Sequence, residues 1–103
     1  MKLQANNPIK IDNNTLKKAV MTLRAINHPL RKQIMNMLEE NTKLTVTEIF
    51  VKLRLEQSVV SQHLAILRKA GVLDTERDGK FIYYKLNDNR IKEIANIVND
   101  LAQ

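Results

Sequence analysis

The segment QSVVSQHLAILRKAGVL, residues 57–73, constrains the fold of this chain more than any other stretch. Apolar residues recur in it at intervals of four and three, as they do along one side of an α-helix: Val60, Leu64 and Leu67. The pattern predicts a helix over residues 57–70. We expect it to stop at Gly71, because glycine readily adopts the left-handed conformation found just past helix ends.

A shorter helix is predicted just before this segment. Thr47 can serve as its N-cap, and apolar residues follow at helical spacing up to Leu53. A turn of about four residues then separates the two helices, which is the geometry of a helix-turn-helix.

A β-hairpin is predicted immediately after the segment. Asp78-Gly79 lies between two extended runs, and this dipeptide is a strong hairpin signal. Alternation in residues 81–86, FIYYKL, is typical of a half-buried strand. We expect Tyr83 and Tyr84 to have structural roles, one inward and one partly exposed.

Three further helices complete the pattern. Residues 15–26 are predicted to follow an N-cap at Asn14, residues 29–40 an N-cap at His28, and the last helix covers residues 88–101. A turn is expected at residues 41–43, and an asparagine-rich loose arm at residues 1–12.

This order predicts a mainly α fold with a small β-hairpin. The elements run α-α-α-α-β-β-α, which is a winged helix-turn-helix, in one domain of residues 13–103.

The composition limits the class of partner. The net charge is +6, which suggests a polyanion such as nucleic acid or an anionic membrane surface, although a merely basic protein would have the same charge. There is no cysteine, so disulfides and thiolate metal sites are excluded. No apolar run approaches the length of a membrane span, and we expect a cytoplasmic protein without a membrane partner.

The front of the helix over residues 57–70 is the candidate site. Its uncharged amide and hydroxyl side chains both donate and accept hydrogen bonds, which suits base edges in the major groove of DNA. Taken singly, each could instead cap the helix or simply be solvated. His63 could pack at the helix edge, reach DNA or, least readily, bind a metal. The predicted DNA-binding residues are Gln57, Ser58, Ser61, Gln62, His63 and, for the phosphate backbone, Arg68, Lys69, Arg77 and Lys80.

The stretch LRLEQSVVSQHLAILRKAGVLDTERDGKFIYYKLND resembles the ArsR/SmtB-type bacterial repressors. The matching motifs are a V-S-x-H-L recognition helix at Val60–Leu64, the run Leu67–Leu73, and a basic wing from Arg77 to Leu86. HPLRKQIMNML, at residues 28–38, looks like the segment of the family that precedes them. The similarity covers about residues 19–102.

The resemblance implies a homodimer that binds an imperfect palindrome of double-stranded DNA and represses transcription. Its recognition helices would lie in successive major grooves about 34 Å apart. The dimer would form through the first and last helices, with interface residues Leu16, Val20, Leu23, Ile94, Val98 and Leu101.

The chain departs from the family where many members bind metals. Residues 44–47 lack the cysteines of one site. Asp88 matches the first position of the other, but Arg90 and Leu101 stand where histidines would be. We therefore predict no metal site and no cofactor. The regulatory signal stays open between a small organic effector, a partner protein and control by abundance.

The sequence favours neither of two other functional classes. A winged helix can also serve as a protein–protein interaction module, but such a face should be apolar or aromatic rather than polar and basic. An enzyme is not predicted, because nothing in the chain assembles a nucleophile with a base.

Overall fold

The computed structural model describes residues 12–102, and it confirms the winged helix-turn-helix. In chain order the elements are α1 (Asn13–Ile26), α2 (Pro29–Asn41), β1 (Lys43–Thr45), α3 (Val46–Leu53), α4 (Gln57–Lys69), β2 (Leu73–Asp78), β3 (Phe81–Leu86) and α5 (Asp88–Ala102). Of the predicted N-terminal arm, residues 1–11 lie outside the described residues.

The hairpin forms where Asp-Gly predicts it. Asp78 pairs with Phe81, so the turn consists of Gly79 and Lys80. Gly79 has a φ of 62°, as glycine has at the first central position of a type II′ turn. We refer to this hairpin, β2 and β3, as the wing.

A third strand was not predicted. β1 pairs antiparallel with β3, and the sheet has the order β1-β3-β2. It occupies part of the stretch expected to be a turn, because three residues are too few to show alternation. The strand is defined by pairing with a segment far along the chain, Leu44 opposite Tyr84.

The apolar stripe of α4 lies at the centre of the core. Val60, Leu64 and Leu67 are buried as predicted, and Gly71 ends the region with a φ of 85°. Buried residues of the neighbouring helices and strands surround the stripe: Ile34, Leu38, Leu44, Ile49, Val72 and Leu73. This packing fixes the rotation of α4 and leaves its front in solvent.

Two predicted helix caps are wrong. α1 is capped by Asp12, whose carboxylate accepts a hydrogen bond from the Thr15 amide at 2.7 Å, and not by Asn14. α3 is capped by Thr45 instead of Thr47, with Glu48 completing a capping box. The sequence offers several Asn, Asp and Thr residues near each start, and only the path of the chain selects among them. The cap at His28 is confirmed.

A smaller cluster joins the two ends of the described chain. Ala19 of α1 packs with Ile94 and Ile97 of α5. Ile97 was not among the residues singled out from the sequence, whereas Val98 and Leu101, expected at a dimer interface, are exposed.

Candidate nucleic-acid interface

The front of α4 carries four exposed polar side chains with unused hydrogen-bonding capacity. Gln57, Ser58, Ser61 and Gln62 are all exposed, and none forms a side-chain hydrogen bond with another of the described residues. The N-cap position is Glu56, which makes no side-chain cap. Capping therefore does not explain Gln57 and Ser58, which was the structural alternative for them.

The turn between α3 and α4 is short. It consists of residues 54–56, one fewer than predicted, and Arg54 adopts a left-handed conformation with a φ of 55°. The Arg54 and Leu55 amides close the end of α3 by donating to the carbonyls of Val51 and Phe50. Three residues therefore separate the closed end of α3 from the front of α4.

His63 has a defined place between α4 and α2. Its Nδ1 accepts a hydrogen bond from Arg31 Nε at 3.2 Å, and its ring lies 4.8 Å from that of His28. Arg31 also donates to the Ala25 carbonyl at 3.1 Å. Burial lowers the pKa of the His63 imidazole below its usual value, and the nearby His28 and Arg31 lower it further.

The same hydrogen bonds argue against His28 and His63 as metal ligands. Nδ1 of His28 accepts from the Leu30 amide at 3.1 Å, as Nδ1 of His63 accepts from Arg31. A neutral imidazole that accepts at Nδ1 carries its hydrogen on Nε2, so neither ring presents a free lone pair to a metal. Between residues 12 and 102, no group of three or more His, Cys, Asp or Glu side chains could hold a metal ion.

Arg90, at the position of a family metal ligand, has a structural role in the described chain. Its guanidinium donates to Thr22 Oγ1 at 3.1 Å and to Glu93 Oε1 at 2.7 Å. Thr22 is itself buried and lies 3.3 Å from the carbonyl of Ala70, just past α4. Arg90 therefore links α5 to α1 and to the end of α4.

The predicted phosphate-binding cations differ in the contacts that they make with other described residues. Arg68 and Lys69, in the last turn of α4, form no salt bridge within residues 12–102. Arg77 donates through Nε to the Gly79 carbonyl at 3.1 Å and so braces the wing turn. Lys80 lies 5.4 Å from the centre of the Phe81 ring at the tip.

The other two lysines of the sheet share one acidic partner. Glu76 contacts Lys43 at 2.5 Å and Lys85 at 3.4 Å, which ties all three strands together. Hydrogen bonds from these two lysines lower the pKa of the Glu76 carboxyl, and the bond to Glu76 raises the pKa of Lys43. Among the described residues near the wing, the cations without an acidic partner are therefore those of α4 and the tip.

An open hollow separates α4 from the wing. Its volume is about 390 Å³, and it is lined by Ser61, Ala65, Arg68, Lys69 and Tyr84. Sequence reasoning gave Tyr83 and Tyr84 only structural roles, one inward and one partly exposed, because the place of Tyr84 beside α4 depends on the tertiary fold. Arg31 was missed as a partner of His63 for the same reason.

The residues predicted to form a dimer are divided between surface and interior. Val20, Leu23, Val98 and Leu101 are 39%, 40%, 41% and 43% exposed, large fractions for apolar side chains. Leu16 is half-buried, and Ile94 is buried against Ala19 within the same chain. α1 and α5 thus leave apolar side chains in solvent.

The fold and the exposed polar front of α4 define a winged helix-turn-helix DNA-binding protein. Residues 28–75 match the family described as "Bacterial regulatory protein, arsR family". The chain is 37% identical to the transcriptional repressor PagR of Bacillus anthracis, over 89% of this chain and 92% of PagR. It is 36% identical to an uncharacterized HTH-type transcriptional regulator of Methanocaldococcus jannaschii, MJ1325, over 82% of this chain and 94% of that one.

Solved structures agree. The crystal structure of PagR superposes with a TM-score of 0.72 at 36% identity, covering 84% of this chain and 99% of PagR. HlyU from Vibrio cholerae N16961 gives a TM-score of 0.70 at 34% identity, covering 87% and 97% of the two chains. The chain belongs to the arsR family and is a DNA-binding transcription regulator. No helix in the part of the chain that the structure describes is long and apolar enough to cross a membrane.

Proposed function

We propose that two copies of this chain form a repressor that places one α4 in each of two successive major grooves of a promoter. Gln57, Ser58, Ser61 and Gln62 would contact base edges. The observation that carries the proposal is that these four side chains are exposed together and unbonded within the described residues. Donors and acceptors of this kind match the base-edge pattern of the major groove.

The charged residues would position the protein without reading sequence. Arg68, Lys69 and Lys80 are free to contact phosphates, and Arg77 would support the wing turn through its bond to Gly79. The His63 ring, hydrogen-bonded to Arg31, would orient the helix and contact DNA only at its edge.

Dimerisation is supported by the apolar residues that α1 and α5 leave exposed, Val20, Leu23, Val98 and Leu101, with Leu16 beside them. Ile94 would support this surface from beneath. The direction of regulation is proposed as repression, as the name of PagR indicates for that relative, whereas HlyU of Vibrio cholerae is named an activator. The controlling signal would not be a thiolate-bound metal or a disulfide, since this chain has no cysteine.

The test compares two single variants on a duplex that the wild-type protein selects from a random-sequence pool. Gln62→Ala should relax the preference at one base pair per half-site, with roughly 1–3 kcal/mol of discrimination lost there. Lys80→Ala should weaken binding to all sequences alike and reduce the slope of log affinity against log salt by about one for each half-site.

Lys52→Ala serves as the matched control, because it removes an exposed cation of α3 that is not among the predicted DNA-binding residues. If Gln62→Ala and Lys80→Ala both bind as the wild type does, the assignment of α4 and the wing is wrong. A reporter gene whose promoter contains the selected duplex distinguishes repression from activation. Supplying the protein should lower reporter expression for a repressor and raise it for an activator.

A further inference from the structure

The hollow between α4 and the wing combines features that favour one kind of ligand. Its lining includes two cations, Arg68 and Lys69, and two hydroxyl groups, those of Ser61 and Tyr84. None of the acidic residues between 12 and 102 lines it. By contrast, the hollow beside the start of α5 is lined by Glu39, Asp74 and Asp88. Of these two depressions, only the one beside the wing suits an anion.

Tyr84 is anchored at its ring and free at its hydroxyl. The ring packs against the main core from β3, and the residue borders the hollow opposite α4. The hydroxyl is not among the side-chain hydrogen bonds formed between residues 12 and 102. A phenol held in this way is a rigid neutral donor, whose hydrogen bond to an anion costs little side-chain entropy.

Tyr83 provides the natural comparison, because successive residues of a strand point to opposite faces of the sheet. Its ring lies 4.8 Å from Lys43 Nζ and 6.4 Å from the Phe81 ring. It does not line the hollow. Tyr83 and Tyr84 therefore lie on the same strand and have the same side-chain chemistry, but only Tyr84 borders the hollow.

The proposed docking of α4 and the wing predicts what passes between them. Adjacent major and minor grooves of a duplex are separated by a single sugar–phosphate backbone. If α4 lies in the major groove and the wing tip lies over the next groove, one DNA strand must cross the space between them.

We propose that this hollow binds one backbone phosphate per half-site, with the Tyr84 hydroxyl donating to a phosphate oxygen beside Arg68 and Lys69. The assignment rests on the proposed function and adds a neutral phosphate-binding residue to it. Tyr84 would hold the strand in place between the groove that α4 reads and the wing.

The decisive experiment uses Tyr84→Phe, which removes only the hydroxyl, with Tyr83→Phe as the matched control. Binding to the selected duplex is measured over a series of salt concentrations. We expect Tyr84→Phe to weaken binding about tenfold for each half-site, the scale of a hydrogen bond to a charged group. Because a neutral donor releases no counterion, the salt slope should stay that of the wild type. Arg68→Gln should instead reduce the slope by about one for each half-site, and Tyr83→Phe should change neither quantity.

A second measurement separates a direct contact from a structural effect. Single neutral methylphosphonates are placed in turn along each strand of the duplex, and wild type is compared with Tyr84→Phe at each position. Replacing the contacted phosphate of one half-site should halve the difference in binding free energy between the two proteins, and replacing it in both half-sites together should abolish the difference.

Three results would overturn the inference: equal binding by Tyr84→Phe and wild type, a salt slope lowered in Tyr84→Phe, or a difference that no methylphosphonate, placed singly or in both half-sites, reduces. Each of these leaves the proposed function intact. Failure of the wild-type protein to select any duplex would instead overturn the proposed function, and this inference with it.

Discussion

His63 shows how one residue of the proposed DNA-reading helix can be engaged in contacts within the protein. It follows Gln62 directly in α4, yet its ring is turned towards α2, where it meets Arg31 and His28. The hydrogen bond from Arg31 requires a bare Nδ1. Protonation of that nitrogen would remove the bond and place a positive charge on His63 beside Arg31 and His28.

The stability of the protein should therefore fall as the pH is lowered through the range of imidazole titration. Because the folded state lowers the pKa of His63, the unfolded chain binds a proton more readily. This contribution is constant above the unfolded value of about 6.5 and is lost as the pH drops towards the folded value. The slope of unfolding free energy against pH is measured by urea unfolding at several values from pH 7.5 to pH 5.5, which bracket this range.

His63→Asn should flatten that slope, because asparagine keeps an acceptor near the position of Nδ1 but does not titrate. His28→Asn is the control: it keeps the N-cap acceptor and leaves His63 to titrate. Equal slopes in the His63→Asn variant and the wild type would show that His63 is not the responsible group.

At the scale of the element, α3 is the clearest case of a boundary that the chain's path decides. The side chain of Thr45 accepts from the Glu48 amide at 3.2 Å, and Glu48 accepts in return from the Thr45 amide at 3.0 Å. Thr45 also ends β1, so this one residue both closes the strand and starts the first helix of the helix-turn-helix.

Replacement of Thr45 by alanine should lower the free energy of unfolding by about 1 kcal/mol, the usual value of a lost N-cap. Thr47→Ala tests the alternative cap in the same helix. It should change stability by less than about 0.5 kcal/mol, because Thr47 is exposed and alanine is a good helix former. Chemical denaturation of both variants decides between the two caps, and a larger loss in Thr47→Ala would contradict the structure.

At the scale of the whole molecule, α1 and α5 are joined to each other and to the end of α4, the proposed DNA-reading helix. α1 and α5 pack through Ala19, Ile94 and Ile97, while Arg90 and Thr22 connect this pair to the end of α4. A partner bound to the exposed side of α1 and α5 would therefore be connected to α4 through these packing contacts and hydrogen bonds.

Val98→Glu should disrupt the proposed dimer, because it places a charge among exposed apolar side chains of α5. We expect a dimer for the wild type and a monomer for the variant by sedimentation equilibrium. Affinity for a two-half-site duplex should fall by about 100-fold as the two recognition helices cease to act together.

Val51→Glu is the comparison, since Val51 is more exposed than Val98 but lies on α3, away from the proposed interface. It should leave the assembly state unchanged. A wild-type protein that sediments as a monomer, or a Val98→Glu variant that remains dimeric, would contradict the proposed interface.

The sequence by itself determined the helices with a regular apolar stripe, the Gly71 and Asp78-Gly79 breaks, and hence the winged helix-turn-helix. These features depend on local periodicity and on glycine's access to positive φ, which neighbouring residues control. For the same reason the polar front of α4 was identifiable: once Val60, Leu64 and Leu67 face the core, Ser58, Ser61 and Gln62 must face away from it.

Only the tertiary structure decided what depends on residues distant in the chain. β1 exists because it pairs with β3, and Ile97 is buried because α1 covers that side of α5. Glu76 pairs with both Lys43 and Lys85, which separates paired cations from free ones, and Tyr84 lines one hollow with Arg68 only because the wing folds back beside α4. Contacts of this kind have no local signature, because their free energy comes from burial and charge pairing between segments that are neighbours only in space.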